Sequence, residues 1–309
     1  MTMLEQHLED YLRLRRTLGH KLGHAHRYLP RFVTFLDERG VEFVTIEAAL
    51  AWTLEREVPA GSVVPADRMM VVRGFARYLS GIDVRTEVPP AGTIRHPSRW
   101  RRPFIYSDAD VLAMIEQARV VIAQPLRSAT YQTLIGLLAT TGLRVGEALR
   151  LDRDDLDRAE GVLRIRESKF GKSRLVPLHA STVDALERYD HTRQHLLPEP
   201  STEALFVSLR GTRVIYETVW PAHRRLCELA GVGAGSTVTP RIHDHRHSMA
   251  VKTLLGWYQD GLDVPSRIGW LSTYLGHREP RYTYHYLSAA PELLAHAARL
   301  LNDAQAARP

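Results

Sequence analysis

The sequence predicts a mainly α-helical chain with one small antiparallel β-hairpin: an all-α N-terminal domain followed by an α+β domain. Three observations carry this. Apolar residues recur at helical spacing through much of the 309 residues. One pair of short alternating segments, Val162–Arg166 and Arg174–Leu178, flanks a glycine-containing turn. A Pro/Gly-rich basic stretch around residue 95 divides a chain long for one core and comfortable for two. The composition, 44% hydrophobic and 25% charged, is that of an ordinary globular protein. Lys and Arg outnumber Asp and Glu 41 to 35, an excess that permits a polyanionic partner without demonstrating one. A single cysteine, Cys227, excludes an internal disulfide framework and a cysteine zinc cluster. Met1 to Asp10 lacks a signal-peptide core and no apolar run reaches spanning length, so the expected location is cytoplasmic.

Residues 4–21 place Leu4, Leu8, Tyr11, Leu12, Leu14 and Leu18 at helical spacing. A second helix is expected over Tyr28 to Arg39, with Gly40 as its stop. Thr45 N-caps a third that ends near Val58-Pro59, and Asp67 to Leu79 forms a fourth before Ser80-Gly81. Four short amphipathic helices make a small domain over residues 1–88. It is rich in arginine (Arg13, Arg15, Arg16, Arg27, Arg31, Arg68, Arg73, Arg77). Such residues read either as a solvated helix surface or as a face for phosphate contacts.

Residues 89–103 change character: Pro89-Pro90-Ala91-Gly92, then Arg95, Arg99, Arg101 and Arg102. Proline and glycine break regular structure, and the basic cluster suits a linker lying along a polyanion. The second domain, 104–309, opens on the Ser107–Asp110 capping pattern. A helix over Ser128 to Thr141 follows and ends at Gly142. The next helix starts near Arg144, with Glu147 one turn on. An arginine at a helix start adds its charge to the unpaired backbone N–H groups and favours an anion; the plain alternative is a surface ion pair of little worth. Lys169-Phe170-Gly171-Lys172 makes the hairpin turn, where a lysine can reach into a neighbouring site or simply face solvent. Thr182–Leu197 and Val214–Ala230 read as helices with a short strand at Leu205–Ser208 between them, and Pro240 to about Gly256 as another.

The chemistry concentrates towards the C-terminus. His243, Arg246 and His247 fall on one helical face, followed by Leu275-Gly276-His277 and Tyr286. A guanidinium clamps phosphate through parallel hydrogen bonds. Imidazoles move protons near neutral pH, and a phenol held against an electrophile is a covalent nucleophile. Phosphoryl transfer without a metal needs such a set, because cationic side chains must stabilise the developing charge. A histidine metal site is disfavoured: His245 points away from His243 and His247 on a helix, and no H-E-x-x-H pattern completes one.

Taken together these pieces resemble the tyrosine recombinase (phage integrase) family. Gly142-Leu143-Arg144 with Glu147 matches its G-L-R-x-x-E motif. Lys169, followed by Lys172, Arg174 and Val176-Pro177-Leu178, matches its hairpin lysine. His243, Arg246 and His247 match H-x-x-R-H, Leu275-Gly276-His277 matches L-G-H, and Tyr286 stands nine positions later. Two departures are His245, where the family has an apolar residue, and Tyr282 and Tyr284 crowding the nucleophile position. The resemblance implies a site-specific recombinase of integration, excision or transposition that needs no cofactor and no metal. It implies Tyr286 as nucleophile forming a 3′-phosphotyrosyl bond, with Arg144 and Arg246 on the phosphate. Lys169 would be the general acid, His243 an aid to tyrosine deprotonation and His277 a phosphate hydrogen-bonder, with Glu147 and His247 supporting. Arg95, Arg99, Arg101, Arg102, Lys172 and Arg174 would contact double-stranded DNA in the nucleoid. It further implies a synaptic homotetramer, with or without sister recombinases or accessory proteins, coupled by a terminal helix over 291–301. A type IB topoisomerase, or a non-catalytic DNA-binding protein on the same scaffold, would share much of this pattern.

Overall fold

The computed structural model describes residues 2–289 except 21, 56, 60, 96–101, 167–172 and 278. Expectations for Lys169, Lys172, Arg99, Arg101 and the 291–301 helix therefore lie outside the described residues. The chain divides into two compact units, Met1–Arg101 and Arg102–Pro309. No described helix is long and apolar enough to cross a membrane.

The first unit packs α1 (Met3–Thr17), α2 (Gly23–Asp37), α3 (Ile46–Leu54) and α4 (Val64–Leu79). Thr2 and Glu5 form a reciprocal capping box that starts α1, and Thr45 caps α3 through the Ala48 N–H. Leu29, Phe32, Leu36, Val72 and Phe75 are fully buried at its centre. The Pro-rich segment packs here too, with Val88 and Ile94 against this core. Arg73 fixes it, donating from Nε to Pro89 O and from Nη2 to Pro90 O, both at 2.8 Å. Arg68 is buried over the Trp52 ring and donates to the Trp52 and Thr53 carbonyls. These two arginines bond within the domain, while Arg13, Arg16, Arg27, Arg31 and Arg77 are exposed.

The second unit is mainly α with a small sheet. Its elements are α5 (Asp108–Val121), α6 (Pro125–Thr141), α7 (Val145–Arg150), β1 (Leu156–Asp157), β2 (Val162–Ile165), β3 (Arg174–Pro177), α8 (Ala180–Leu196) and α9 (Tyr216–Leu229). Then come α10 (Asp244–Gln259), α11 (Val264–Leu275) and α12 (Arg281–Ala289). The sheet is antiparallel in the order β1-β2-β3, with Leu163 opposite Val176. Alternation buries Leu163, Ile165 and Val176 in the same core cluster as Leu134, Leu138 and Phe206, so the hairpin is anchored on one face. The strand expected at Leu205–Ser208 is instead a loop: its pairing is confined to the isolated bridges Asp152–Ala204 and Val207–Arg213. Leu205 and Phe206 are buried, and single bonds to Leu151 and Val214 satisfy that backbone without a ladder. A smaller cluster of Ala250, Leu254, Ile268, Leu275 and Tyr286 unites α10, α11 and α12.

Candidate active site

Gly142 ends α6 in the left-handed region at φ 61°, and a Cβ there would come within 3.2 Å of Met249 Sδ. Only glycine turns the chain here while letting α10 approach. The turn delivers Arg144 to the start of α7. Its backbone N–H donates to Glu147 Oε2 at 3.1 Å and its Nη1 to Oε1 at 2.7 Å. Its Nη2 reaches the Gly276 carbonyl at 3.4 Å. The Glu147 side chain is almost wholly buried. Burial pushes its carboxyl pKa up, but hydrogen bonds and charge from Arg174, joined by Arg144, more than offset this and hold it at about 2. Glu147 therefore stays ionised and orients two guanidiniums.

Arg174, expected to face a polyanion, turns inward. It donates from Nη1 and Nη2 to the two Glu147 oxygens at 3.2 and 2.9 Å, and from Nε to Tyr274 O at 2.8 Å. With its side chain 10% exposed, its fork is committed to the protein.

Arg246 lies in the first turn of α10, 2% exposed. Its Nη1 donates to Gly142 O at 2.9 Å and its Nη2 to Leu275 O. Burial brings its pKa down to about 10 while nearby Tyr286 acts to raise it, so it remains a cation at neutral pH. His277 follows Gly276, which closes α11 at φ 67°. Its Nδ1 pairs with the buried Thr283 hydroxyl at 2.8 Å, which fixes the ring. Burial, then the charges of Arg246 and Arg144, push its pKa down to about 3, so it is neutral.

Tyr286 on α12 is 3% exposed, whereas Tyr282 and Tyr284 are 50% and 49% exposed. The His247 ring meets it edge-on at 5.3 Å and the His277 ring lies nearly parallel at 5.9 Å. His243 continues the line, 5.2 Å from His247. His243 keeps exposed surface, yet desolvation of its ring and the charges of His247 and Arg246 lower its pKa to about 4.

The structure thus brings together Arg144, Glu147, His243, Arg246, His247, His277 and Tyr286. Arg95 and Arg102 are exposed. Sequence reasoning missed the inward course of Arg174 and the backbone carbonyls that hold Arg246. A Glu147 already paired to one arginine, on a buried turn, was a signal that a second could join it. His245 has a separate place: it is buried, stacked on Tyr106 at 4.1 Å, and its Nε2 is 3.1 Å from His223 Nε2. Among the described residues no group of three or more His, Cys, Asp or Glu side chains is arranged for a metal ion.

The phage integrase family model matches residues 109–292, more than half the chain. The Sinorhizobium fredii protein y4rB, which carries a provisional integrase/recombinase name, is 38% identical over 307 residues, covering 97% of this chain and 98% of its own. Tyrosine recombinase XerD of Pseudomonas aeruginosa is 31% identical over 252 residues, covering 79% and 81% respectively. Among solved structures, the Tn1549 transposon integrase in complex with transposon right end DNA superposes with a TM-score of 0.65, covering 98% of this chain and 99% of that one. At 15% identity this likeness speaks to the fold.

Proposed function

The chain belongs to the phage integrase family and is a tyrosine-type site-specific DNA recombinase; we propose that Tyr286 is its nucleophile and that cleavage passes through a 3′-phosphotyrosyl bond. The observation that carries this is the burial of Tyr286 between His247 and His277 beside Arg246, while Tyr282 and Tyr284 face solvent.

The Tyr286 oxygen attacks the scissile phosphorus, the new O–P bond forms, and the P–O5′ bond breaks to leave a 5′-hydroxyl. Arg144 and Arg246 hold the non-bridging oxygens as charge builds in the pentavalent transition state. Neutral His277 donates a hydrogen bond to the phosphate. The tyrosine proton leaves by way of His247, the ring beside it, towards His243. His243 then assists through His247, whose ring lies 5.3 Å from that of Tyr286 and 5.2 Å from that of His243. Lys169 protonates the departing 5′-oxygen. The phosphotyrosyl link keeps the bond energy, so a second strand's 5′-hydroxyl reverses the step without ATP.

The recombinase acts on double-stranded DNA in the cytoplasm as a synaptic homotetramer and serves the integration or transposition of a mobile element. Such a role agrees with the integrase/recombinase name of the 38% identical Sinorhizobium fredii relative. The test is a nicked suicide duplex carrying the ends of the element that encodes the chain. Wild type should yield a denaturant-resistant adduct that Tyr286→Phe abolishes. An adduct surviving in Tyr286→Phe would move the nucleophile to Tyr282 or Tyr284. A type IB topoisomerase would instead relax a plasmid that lacks those ends.

A further inference from the structure

We propose that Arg174 is a positioning residue for the recombinase site: by clamping Glu147 and the end of α11 together, it sets Arg144, Arg246 and His277 in register before DNA arrives. The inference rests on the catalytic reading above for its kinetic consequence and on geometry alone for its structural one.

Arg174 begins β3, directly after the hairpin segment, yet its guanidinium points into the protein. Its two Nη groups take both oxygens of Glu147 in a parallel fork, and its Nε takes Tyr274 O. Glu147 spends the same two oxygens on Arg144, through Nη1 and the backbone N–H. Tyr274 immediately precedes three groups of the site: Leu275, whose carbonyl holds Arg246; Gly276, whose carbonyl reaches Arg144; and His277. One planar side chain therefore ties β3 to α7, which carries Arg144, and to the α11 terminus, which carries His277 and the carbonyl that holds Arg246. The fit leaves no slack, since a Cβ on Gly276 would lie 2.8 Å from Arg174 Nη1 and 3.0 Å from its Cζ. Lysine, a point charge on a flexible stem, can neutralise Glu147 but cannot span the carboxylate and the carbonyl at once.

The experiment compares wild type, Arg174→Ala, Arg174→Lys, Glu147→Gln and Arg174→Ala/Glu147→Gln on the nicked duplex described above. DNA affinity is read separately from the adduct rate at saturating DNA. For Arg174→Ala we expect affinity within about twofold of wild type and a saturating rate down about a hundredfold, the cost of a misplaced constellation. Arg174→Lys should recover part of the rate, and the double variant should lose less than the product of the single losses. A DNA-contact role predicts the reverse: weaker binding, a salt slope shallower by about one, and an unchanged saturating rate. That pattern would overturn the proposal. If wild type forms no adduct, the nucleophile assignment fails, and melting temperatures decide Arg174 independently. A lowered melting temperature in Arg174→Ala, partly restored by Glu147→Gln, supports the clamp; an unchanged one refutes it.

Discussion

The buried histidine pair should make this protein acid-labile well above the range where its carboxylates protonate. His223 and His245 are 3% and 1% exposed, and burial lowers their pKa values to about 4 and about 3. Their facing Nε2 atoms, 3.1 Å apart, need one N–H and one lone pair, so the pair fits together only with at least one neutral ring. In the unfolded chain both would titrate near the ordinary value of about 6.5. The unfolded state thus binds more protons below that pH, and the stability these histidines confer is fully present above it. It is lost as pH falls through 6.5 towards the folded values. Each ring withdraws up to ~1.4 kcal/mol per pH unit, so moving from pH 7.5 to 5 should cost about 4 kcal/mol for the pair. That is a large share of a typical domain stability of about 5–15 kcal/mol. Urea unfolding followed by tryptophan fluorescence at pH 7.5, 6.5, 5.5 and 5.0 measures it. His245→Phe, which keeps a ring against Tyr106, should lower stability at pH 7.5 by about 1–3 kcal/mol through the orphaned His223 nitrogen and, because His243 and His277 also have lowered values, reduce the histidine-linked pH slope by about a quarter. An unfolding free energy flat from pH 7.5 to 5 in wild type would refute the argument.

Other outcomes follow from the site. Arg246→Lys should cut the adduct rate at saturating DNA by about 10²–10³-fold, as loss of an oriented transition-state donor does elsewhere; gel quantification of the adduct checks it. Tyr282→Phe and Tyr284→Phe should cleave within about threefold of wild type, since exposed rings supply no site group, as the same gel would read. Gly276→Ala forces a Cβ into the left-handed region and against Arg174. It should lower stability by about 1–3 kcal/mol and depress the adduct rate alongside Arg174→Ala, seen by urea unfolding and the suicide duplex. Arg102→Ala should weaken DNA binding and reduce the slope of log affinity against log salt by about one, without changing the rate at saturation; titrations at several salt concentrations read that slope.

Much of this was legible in sequence because short-range physics dictates it. The capping residues Thr45 and Ser107, the stop at Gly142 and the alternation of β2 and β3 each act within a few residues, so the mainly α fold with one hairpin could be read directly. The site was legible where helical spacing sets it, as with Arg246 and His247. Elsewhere it depends on contacts across a hundred residues, which spacing does not encode. The Arg246 bond to Gly142 O and the Arg174 bond to Tyr274 O are of that kind. Basic composition also left positions open: Arg68 and Arg73 read as solvated surface or phosphate face and Arg174 as a DNA contact, whereas their guanidiniums bond carbonyls or Glu147. Counting charges cannot tell a cation facing outward from one satisfied within.

The partners of Arg246 bear on how a polyanion can enter the site. Its two acceptors, Gly142 O and Leu275 O, are main-chain carbonyls at the C-terminal ends of α6 and α11, where the partial negative charge of a helix gathers. Immobile dipoles thus hold this buried cation, with Tyr286 beside it and the Glu147 charge nearby. The guanidinium is set by the backbone before a phosphate reaches it, and little reorganisation of the main chain is needed there. Arg144 is set by a side chain instead, the Glu147 carboxylate that Arg174 in turn clamps. One guanidinium fixed by the main chain and one by a clamped carboxylate present the same geometry to a phosphodiester in both directions, which a reaction that must run backwards to rejoin its strands requires.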